Sequence, residues 1–246
     1  MIPIITYHAV GEGPRPLWVP LRDFEAHLKA YKSEGYRTIS LAALVESLRR
    51  RDLPSNTLVI TFDDGYESVY SLAWPRLCAA GFGGTVFLVT DYCGRTNQWP
   101  GQSPDVPPAP LLRWDQVLEM ANQGCEFGAH TRTHPHLVGS NREGVVEELV
   151  SARNRIRSVT SQAVGLFAYP YGEADSYTMD LVSELFQGAV GTRLGVVQPS
   201  SHPFLLPRID AYYLTPYLIG RIKNPIFRAY LESRQCLRYL RRLLRP

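Results

Sequence analysis

Short apolar runs alternate along the chain with longer stretches whose apolar positions recur at helical spacing. The runs predict strands at Ile2–Tyr7, Arg37–Ile39, Thr57–Phe62, Gly84–Val89, Glu126–Gly128, Ala163–Ala168, Ala189–Gly191 and Phe204–Arg208. The amphipathic stretches predict helices at Leu21–Ser33, Leu41–Arg50, Ser68–Ala80, Trp114–Gln123, Arg142–Thr160 and Ser176–Glu184. Ser40 and either Asp175 or Ser176 stand where N-caps belong, and Gly35, Gly81 and Gly124 stand where helices stop. Strands that alternate with helices build a mostly parallel sheet with helical crossovers. About seven or eight such units predict a closed or partly closed β/α barrel, with an open doubly wound sheet as the alternative. The stretch from Trp99 to Pro110 holds five prolines and predicts an ordered loop over one face. No internal repeat is evident.

In parallel β/α architectures reactive groups collect at the C-terminal ends of strands. Four polar stretches share that address: His8 after IPIITY, Asp63 and Asp64 after LVITF, HTRTHPH after the strand holding Phe127, and YPYG from Tyr169 to Gly172. The aspartate pair is the sharpest. Asp-Asp-Gly suits a tight turn, and read alone it is a turn. Two adjacent carboxylates repel unless a cation is near. His130 and His134, four apart, offer neutral imidazoles, the commonest protein metal ligands. Two histidines and a carboxylate with open positions make a usual catalytic metal site. A lone HxxxH is otherwise a pair of surface or capping histidines. One aspartate that binds a cation would relieve the repulsion on the other.

The 246 residues, 45% hydrophobic and 20% charged, fit one large domain with a substantial core. The net charge of +3 is unevenly spread. The last 26 residues, from Arg221, carry +7, and the rest of the chain carries −4. The body is therefore not a nucleic-acid binder by charge. The tail, residues 221–246, predicts a basic helix appended to a barrel of residues 1–220, with Phe227, Tyr230, Leu231, Leu237, Leu240 and Leu244 on its apolar side. Such a helix either packs on its own barrel or docks on an anionic membrane surface. Cys78, Cys93, Cys125 and Cys236 show no paired spacing, so reduced thiols in a reducing compartment are expected. MIPIITYHAV lacks the basic and apolar regions of a leader. A cytoplasmic protein is expected, at the inner membrane face if the tail docks there, unless a leader has been removed.

TFDDGY, HTRTHPHL and FAYPYG resemble the first three motifs of the polysaccharide deacetylase family, carbohydrate esterase family four. ITYHAV and LPRID resemble one branch of it, so the likeness runs from Met1 to about Asp210. The resemblance implies a distorted (β/α)7 barrel, a divalent metal and hydrolysis of N-acetyl groups on amino sugars. It implies Asp63 as general base, Asp64, His130 and His134 as metal ligands, and the Tyr171 backbone N–H as oxyanion donor. Zinc is expected first, although two histidines and an aspartate also tolerate cobalt, nickel or manganese.

The sequence departs from the pattern twice. Ala168 stands where the third motif usually has an arginine that pairs with the catalytic aspartate. The late Leu-x-His motif, source of the general acid, is not evident, and His202 precedes its strand. Barrel closure brings first and last strands together, so His8 is the candidate acid, with a structural histidine as the plain alternative. Arg208, near the end of a late strand, is the candidate replacement arginine, held by Asp210 or a backbone carbonyl; a surface ion pair is its alternative. His27 is expected to be solvated and His136 structural. Tyr66, Trp99 and Trp114 could stack on a sugar, though packing is commoner for each. The expected substrate is a glycan or glycolipid. The open alternatives are a fold that binds glycans without turnover and a metal-dependent amidase or esterase for another substrate.

Overall fold

The structure is a computed structural model and describes residues 1–222 and 224–243. The strands are β1 Ile4–Tyr7, β2 Ala9–Val10, β3 Trp18–Val19, β4 Arg37–Thr38, β5 Thr57–Phe62, β6 Thr85–Leu88, β7 Glu126–Ala129, β8 Leu166–Ala168, β9 Gly188–Leu194 and β10 Leu206–Asp210. The helices are α1 Leu21–Ser33, α2 Leu41–Arg49, α3 Trp74–Ala80, α4 Trp114–Asn122, α5 Arg142–Thr160, α6 Ser176–Leu185, α7 Pro216–Ile219 and α8 Pro225–Leu243. β5 to β10 pair in parallel in chain order, and β1 pairs with both β10 and β5, closing a seven-stranded barrel. β4 lies outside the ring on the early part of β5, which β6 leaves uncovered.

Strand alternation sorts the residues between two cores. Leu58, Ile60 and Phe62 of β5 face the helices, while Val59 faces inward with Ile4, Phe87, Leu166, Ala168, Val190 and Leu206. Leu41, Leu44, Val45 and Leu48 of α2 pack on this inner cluster and plug the barrel's N-terminal mouth. Glu126 seats the plug: its carboxylate accepts the Leu41 and Ala42 N–H groups at 3.0 and 3.2 Å and the Thr85 hydroxyl at 2.5 Å. Apolar floor below and period-two alternation above aim Thr6, Thr61, Asp63 and Arg208 at the opposite mouth.

Most predicted elements agree within a residue or two, and Ser40, Asp175, Gly35, Gly81 and Gly124 act as predicted caps and stops. The predicted helix Ser68–Ala80 divides: Val69–Ala73 is a π-turn and α3 follows. Pro75 lacks the N–H that a regular turn needs there. The two-residue β2–β3 pair was not legible. His27 is a correction. It is 2% exposed, and its Nδ1 meets the Tyr7 hydroxyl at 3.0 Å, which also meets the Tyr31 hydroxyl. Its helix turns that face to the barrel.

The basic tail forms α8 against β9. Phe227 and Leu231 are buried, Tyr230 is partly buried, and Leu237 is exposed. Gln235 accepts the Leu194 N–H at 3.0 Å, and Arg238 donates to the Thr192 carbonyl at 3.1 Å. Leu244 and the Leu240 side chain, both placed on the apolar side above, lie outside what the structure describes. Among the described residues no helix is long and apolar enough to cross a membrane.

Candidate active site

The C-terminal mouth of the barrel opens into a cleft of about 240 Å³. It gathers His8, Asp63, Asp64, Trp99, His130, His134, Tyr171 and Arg208 from six separate segments. Asp63 follows β5 with its side chain inward, 3% exposed. Asp64 then turns with φ 68°, and Gly65 with φ 71°. A Cβ on Gly65 would lie 2.7 Å from the Leu88 side chain, so the residue after the pair must be glycine on both counts. The turn sends the two neighbouring carboxylates to different partners.

Arg208 holds Asp63. Its Nη1 and Nη2 donate to the two carboxylate oxygens at 2.7 and 2.6 Å. The guanidinium is 1% exposed and also donates to the Gly191 carbonyl at 2.8 Å and to the hydroxyls of Thr6 and Thr61 at 3.0 and 3.3 Å. Every guanidinium nitrogen reaches an acceptor inside the barrel, so this is not a surface ion pair. The backbone carbonyl of Gly191 orients it; Asp210 does not. That carboxylate instead caps the following turn through the Tyr212 N–H at 2.9 Å. Burial pushes the Asp63 carboxyl up, but Arg208, aided by His8 and His130, outweighs burial and holds it below the usual range. His8 Nε2 stands 3.9 Å from Asp63 Oδ2.

Asp64 faces the histidines. Its Oδ1 lies 3.4 Å from His130 Nε2 and 3.6 Å from His134 Nε2. Ligand atoms of the three residues lie within 4.8 Å of one another, all buried. His130 Nδ1 meets the Ala168 carbonyl at 2.8 Å, which places the proton there and leaves Nε2 a free lone pair. The donor set of one carboxylate and two imidazoles therefore fits a divalent cation. Burial, the largest single influence, would lower the His130 imidazole, but Asp64, the Asp63 charge and the Ala168 carbonyl together outweigh burial and raise it. Burial, then His130 beside it, pushes His134 down to about 3. Burial opposes ionisation of Asp64, and the histidines overcome it and hold the carboxyl very low.

Thr131, His134 and Tyr171 also have positive φ, 67°, 63° and 58°. For residues other than glycine this is sparsely populated and costs roughly 1–3 kcal/mol each. Supports are visible. The Thr131 hydroxyl accepts the His134 N–H at 2.9 Å, and Glu148 accepts the N–H groups of Arg132 and Thr133, both at 2.8 Å. The Tyr171 ring stands edge-on to His134 at 4.6 Å and stacks on His136 at 4.1 Å. His136 is exposed and bonded to Glu173 at 2.8 Å. Gly172 follows with φ 70°, where a Cβ would overlap the Thr192 side chain.

The three aromatic candidates separate. Trp99 lines the cleft and lies 4.3 Å from the His134 ring, carried there by the proline-rich loop. Tyr66 is a correction: it is 1% exposed, packed against Trp18 at 5.4 Å and bonded to Asn97 at 3.2 Å. Trp114 is another. It does not line the cleft, and the Arg155 guanidinium lies over its ring at 4.8 Å. His202 lines a separate cavity between residues 193–207 and α8. Thr192 and Arg238 line the cleft and were not legible beforehand. A β-bulge in β9 and the packing of α8 bring them there.

Residues 50–187 match the polysaccharide deacetylase family, more than half of the chain. The chain belongs to the polysaccharide deacetylase family. It is 28% identical over 234 residues to YxkH of Bacillus subtilis (strain 168), a protein named for polysaccharide deacetylases, covering 94% of this chain and 76% of that one. It is 22% identical over 201 residues to the poly-β-1,6-N-acetyl-D-glucosamine N-deacetylase of Staphylococcus aureus (strain MRSA252), covering 76% of this chain and 65% of that enzyme. Among solved structures, Streptococcus pyogenes deacetylase PplD in complex with acetate superposes with TM-score 0.76 at 25% identity, covering 90% of this chain and 96% of that one. IcaB from Ammonifex degensii shares the fold with TM-score 0.76 at 24% identity, covering 90% and 94%.

Proposed function

We propose that this protein hydrolyses N-acetyl groups from an amino-sugar-containing glycan, with Asp63 as the base. The observation that carries the reading is the divergence of two adjacent carboxylates. Asp63 bonds Arg208 and stands beside His8, whereas Asp64 faces His130 and His134. One aspartate is thereby free of ligand duty.

A divalent cation held by Asp64, His130 and His134 would supply Lewis acidity at the acetamide carbonyl and a water of lowered pKa. Asp63, held ionised by Arg208, takes the proton of the attacking water. His8, on the same side of Asp63, gives a proton to the leaving amine. The Tyr171 backbone N–H stabilises the tetrahedral oxyanion. Trp99, backed by the His134 ring, offers an apolar wall to the sugar. The relatives named above support the substrate class.

The test is acetate release from chitooligosaccharide and from poly-β-1,6-N-acetylglucosamine, with an aryl acetate for comparison. Release from a glycan that a chelator abolishes and a divalent metal restores is expected. Release from the aryl acetate alone would turn the reading towards a general esterase. No release from any of them, with metal bound, would leave a binding protein.

We also infer that the protein works in the cytoplasm and touches an anionic membrane surface through the α8 region. Ile226 and Tyr217 are 74% and 68% exposed, and Arg221 lies over the Tyr217 ring. Binding to anionic liposomes that Ile226→Glu weakens is expected. Equal partitioning of both proteins would dispose of the membrane contact.

A further inference from the structure

We propose that Arg238, on the C-terminal helix, determines specificity by binding an anionic group, a phosphate or a carboxylate, on the substrate beside its acetamide. This rests on the glycan deacetylase reading above and adds a substrate charge that the reading does not contain. The helix α8 runs from Phe227 and Leu231, buried on the barrel, to Arg238 at the rim of the cleft. Two bonds to β9 fix its approach, Gln235 to the Leu194 N–H and Arg238 Nη1 to the Thr192 carbonyl.

Two guanidinium groups line the cleft, and they differ in what they have left to offer. Arg208 is 1% exposed and each of its three nitrogens is engaged within the barrel. Arg238 is half-buried, and among the described residues its single hydrogen bond is the one to Thr192. Among the described residues no carboxylate forms an ion pair with it. Its Nε and Nη2 donors thus remain for a ligand. A guanidinium that one bond anchors to the backbone offers its remaining donors in a preset plane, the arrangement that suits two oxygens of an oxyanion. Asp210 lines the same cleft, but its Oδ1 is committed to the Tyr212 N–H. Asp63 is already paired with Arg208. Among the described residues the cleft therefore holds one guanidinium with uncommitted donors, in the same lining as the residues proposed to do the chemistry. A neutral sugar hydroxyl can accept from it, but an oxyanion makes the stronger, charge-assisted pair.

The experiment is isothermal titration of the full-length, zinc-loaded protein with three probes: N-acetylglucosamine, N-acetylglucosamine 1-phosphate and N-acetylmuramic acid. The wild-type protein is expected to bind at least one charged probe more tightly than the neutral one, and the tighter of the two charged probes identifies the anion. Arg238→Gln keeps a donor for the Thr192 carbonyl and removes the charge. It is expected to weaken the preferred charged probe about tenfold, the ratio that about 1.4 kcal/mol gives, and to move the neutral probe less than twofold. Arg238→Lys should recover part of the loss. Equal weakening of charged and neutral probes would mark a displaced helix and overturn the proposal. So would a wild-type protein that binds neither charged probe better than the neutral one. Binding is read without turnover, so a failure to release acetate would sink the deacetylase reading on its own account while this comparison still decides Arg238.

Discussion

Replacing Arg208 with alanine should move the acidic limb of the pH–rate profile upward. The guanidinium and the Asp63 carboxylate exchange two parallel bonds at 2.7 and 2.6 Å in a site closed to solvent. Charge centres about 4 Å apart attract by about 4 kcal/mol at an effective dielectric of about 20. At about 1.36 kcal/mol per unit that corresponds to about three pH units of carboxylate acidity. Water entering the vacated space and a nearby metal return part of this, so a rise of at least about one unit in the limb of kcat/KM is expected. The direction follows from the base role: a higher Asp63 pKa leaves less carboxylate at any given acidic pH. Breaking a buried pair also costs about 3–5 kcal/mol of stability. Asp63 is held below its unfolded value, so its contribution is present above about pH 4 and is lost as pH falls through the folded value. The stability gap between wild type and Arg208→Ala, measured by urea unfolding of metal-free protein, should therefore narrow on acidification. Should Arg208→Ala fail to fold, Arg208→Lys keeps the charge and loses the paired geometry, and a smaller shift is expected. A folded variant with a lowered rate and an unmoved limb would refute the reasoning.

Asp64→Ala, His130→Ala and His134→Ala should each strip the metal, measured by emission spectrometry, and abolish acetate release. Asp63→Asn should retain metal and lose turnover; a normal rate would remove Asp63 as base. His8→Ala should leave metal content intact and lower kcat by roughly 10²–10⁴-fold, the usual loss for a general acid. An unchanged rate, or an equal loss in His202→Ala alone, would take His8 out of the mechanism. Metal affinity should rise with pH across neutrality, because Asp64 raises the His130 imidazole and metal must displace that proton. Calorimetry in buffers of different ionisation enthalpy should show proton release; a pH-independent Kd between pH 6 and 8 would contradict it.

The sequence exposes this fold well because its strands are short, buried and separated by capped helices. Thr57–Phe62 is bounded by Asn56 and the aspartate pair, and α5 begins after Asn141, whose side chain accepts the Gly144 N–H. Local chemistry marks such boundaries. The four central candidate residues could be singled out for a related reason: Asp63, Asp64 and His130 directly follow strand ends, an address that alternation reveals, and His134 is tied to His130 by its spacing and by the family resemblance. What stayed hidden depends on contacts between distant segments. Nothing local tells that Tyr7 and Tyr31 bury His27, or that Asn97 draws Tyr66 into the core. Trp114 and Trp99 read alike as aromatics beside loops, yet one meets Arg155 and the other meets His134.

The backbone of the site shows why its motifs must be spelled as they are. Asp64, Thr131, His134 and Tyr171 all adopt left-handed conformations, one or two per motif, and none is glycine. A side chain at each position is thus retained against a conformational penalty. At Asp64 and His134 the side chain faces the other members of the donor set. At Thr131 it accepts the His134 N–H and so supports the next strained residue. At Tyr171 it braces the His134 ring from the edge while His136 covers its face. The strained residues hold one another. Loss of one support should therefore loosen the metal site without removing a ligand. Thr131→Ala, which deletes the hydroxyl that accepts from His134, is expected to weaken metal affinity by about tenfold, within the range for lost outer support of a ligand. Unfolding by urea monitors the fold separately. An unchanged metal Kd in Thr131→Ala would show that His134 keeps its place without that bond.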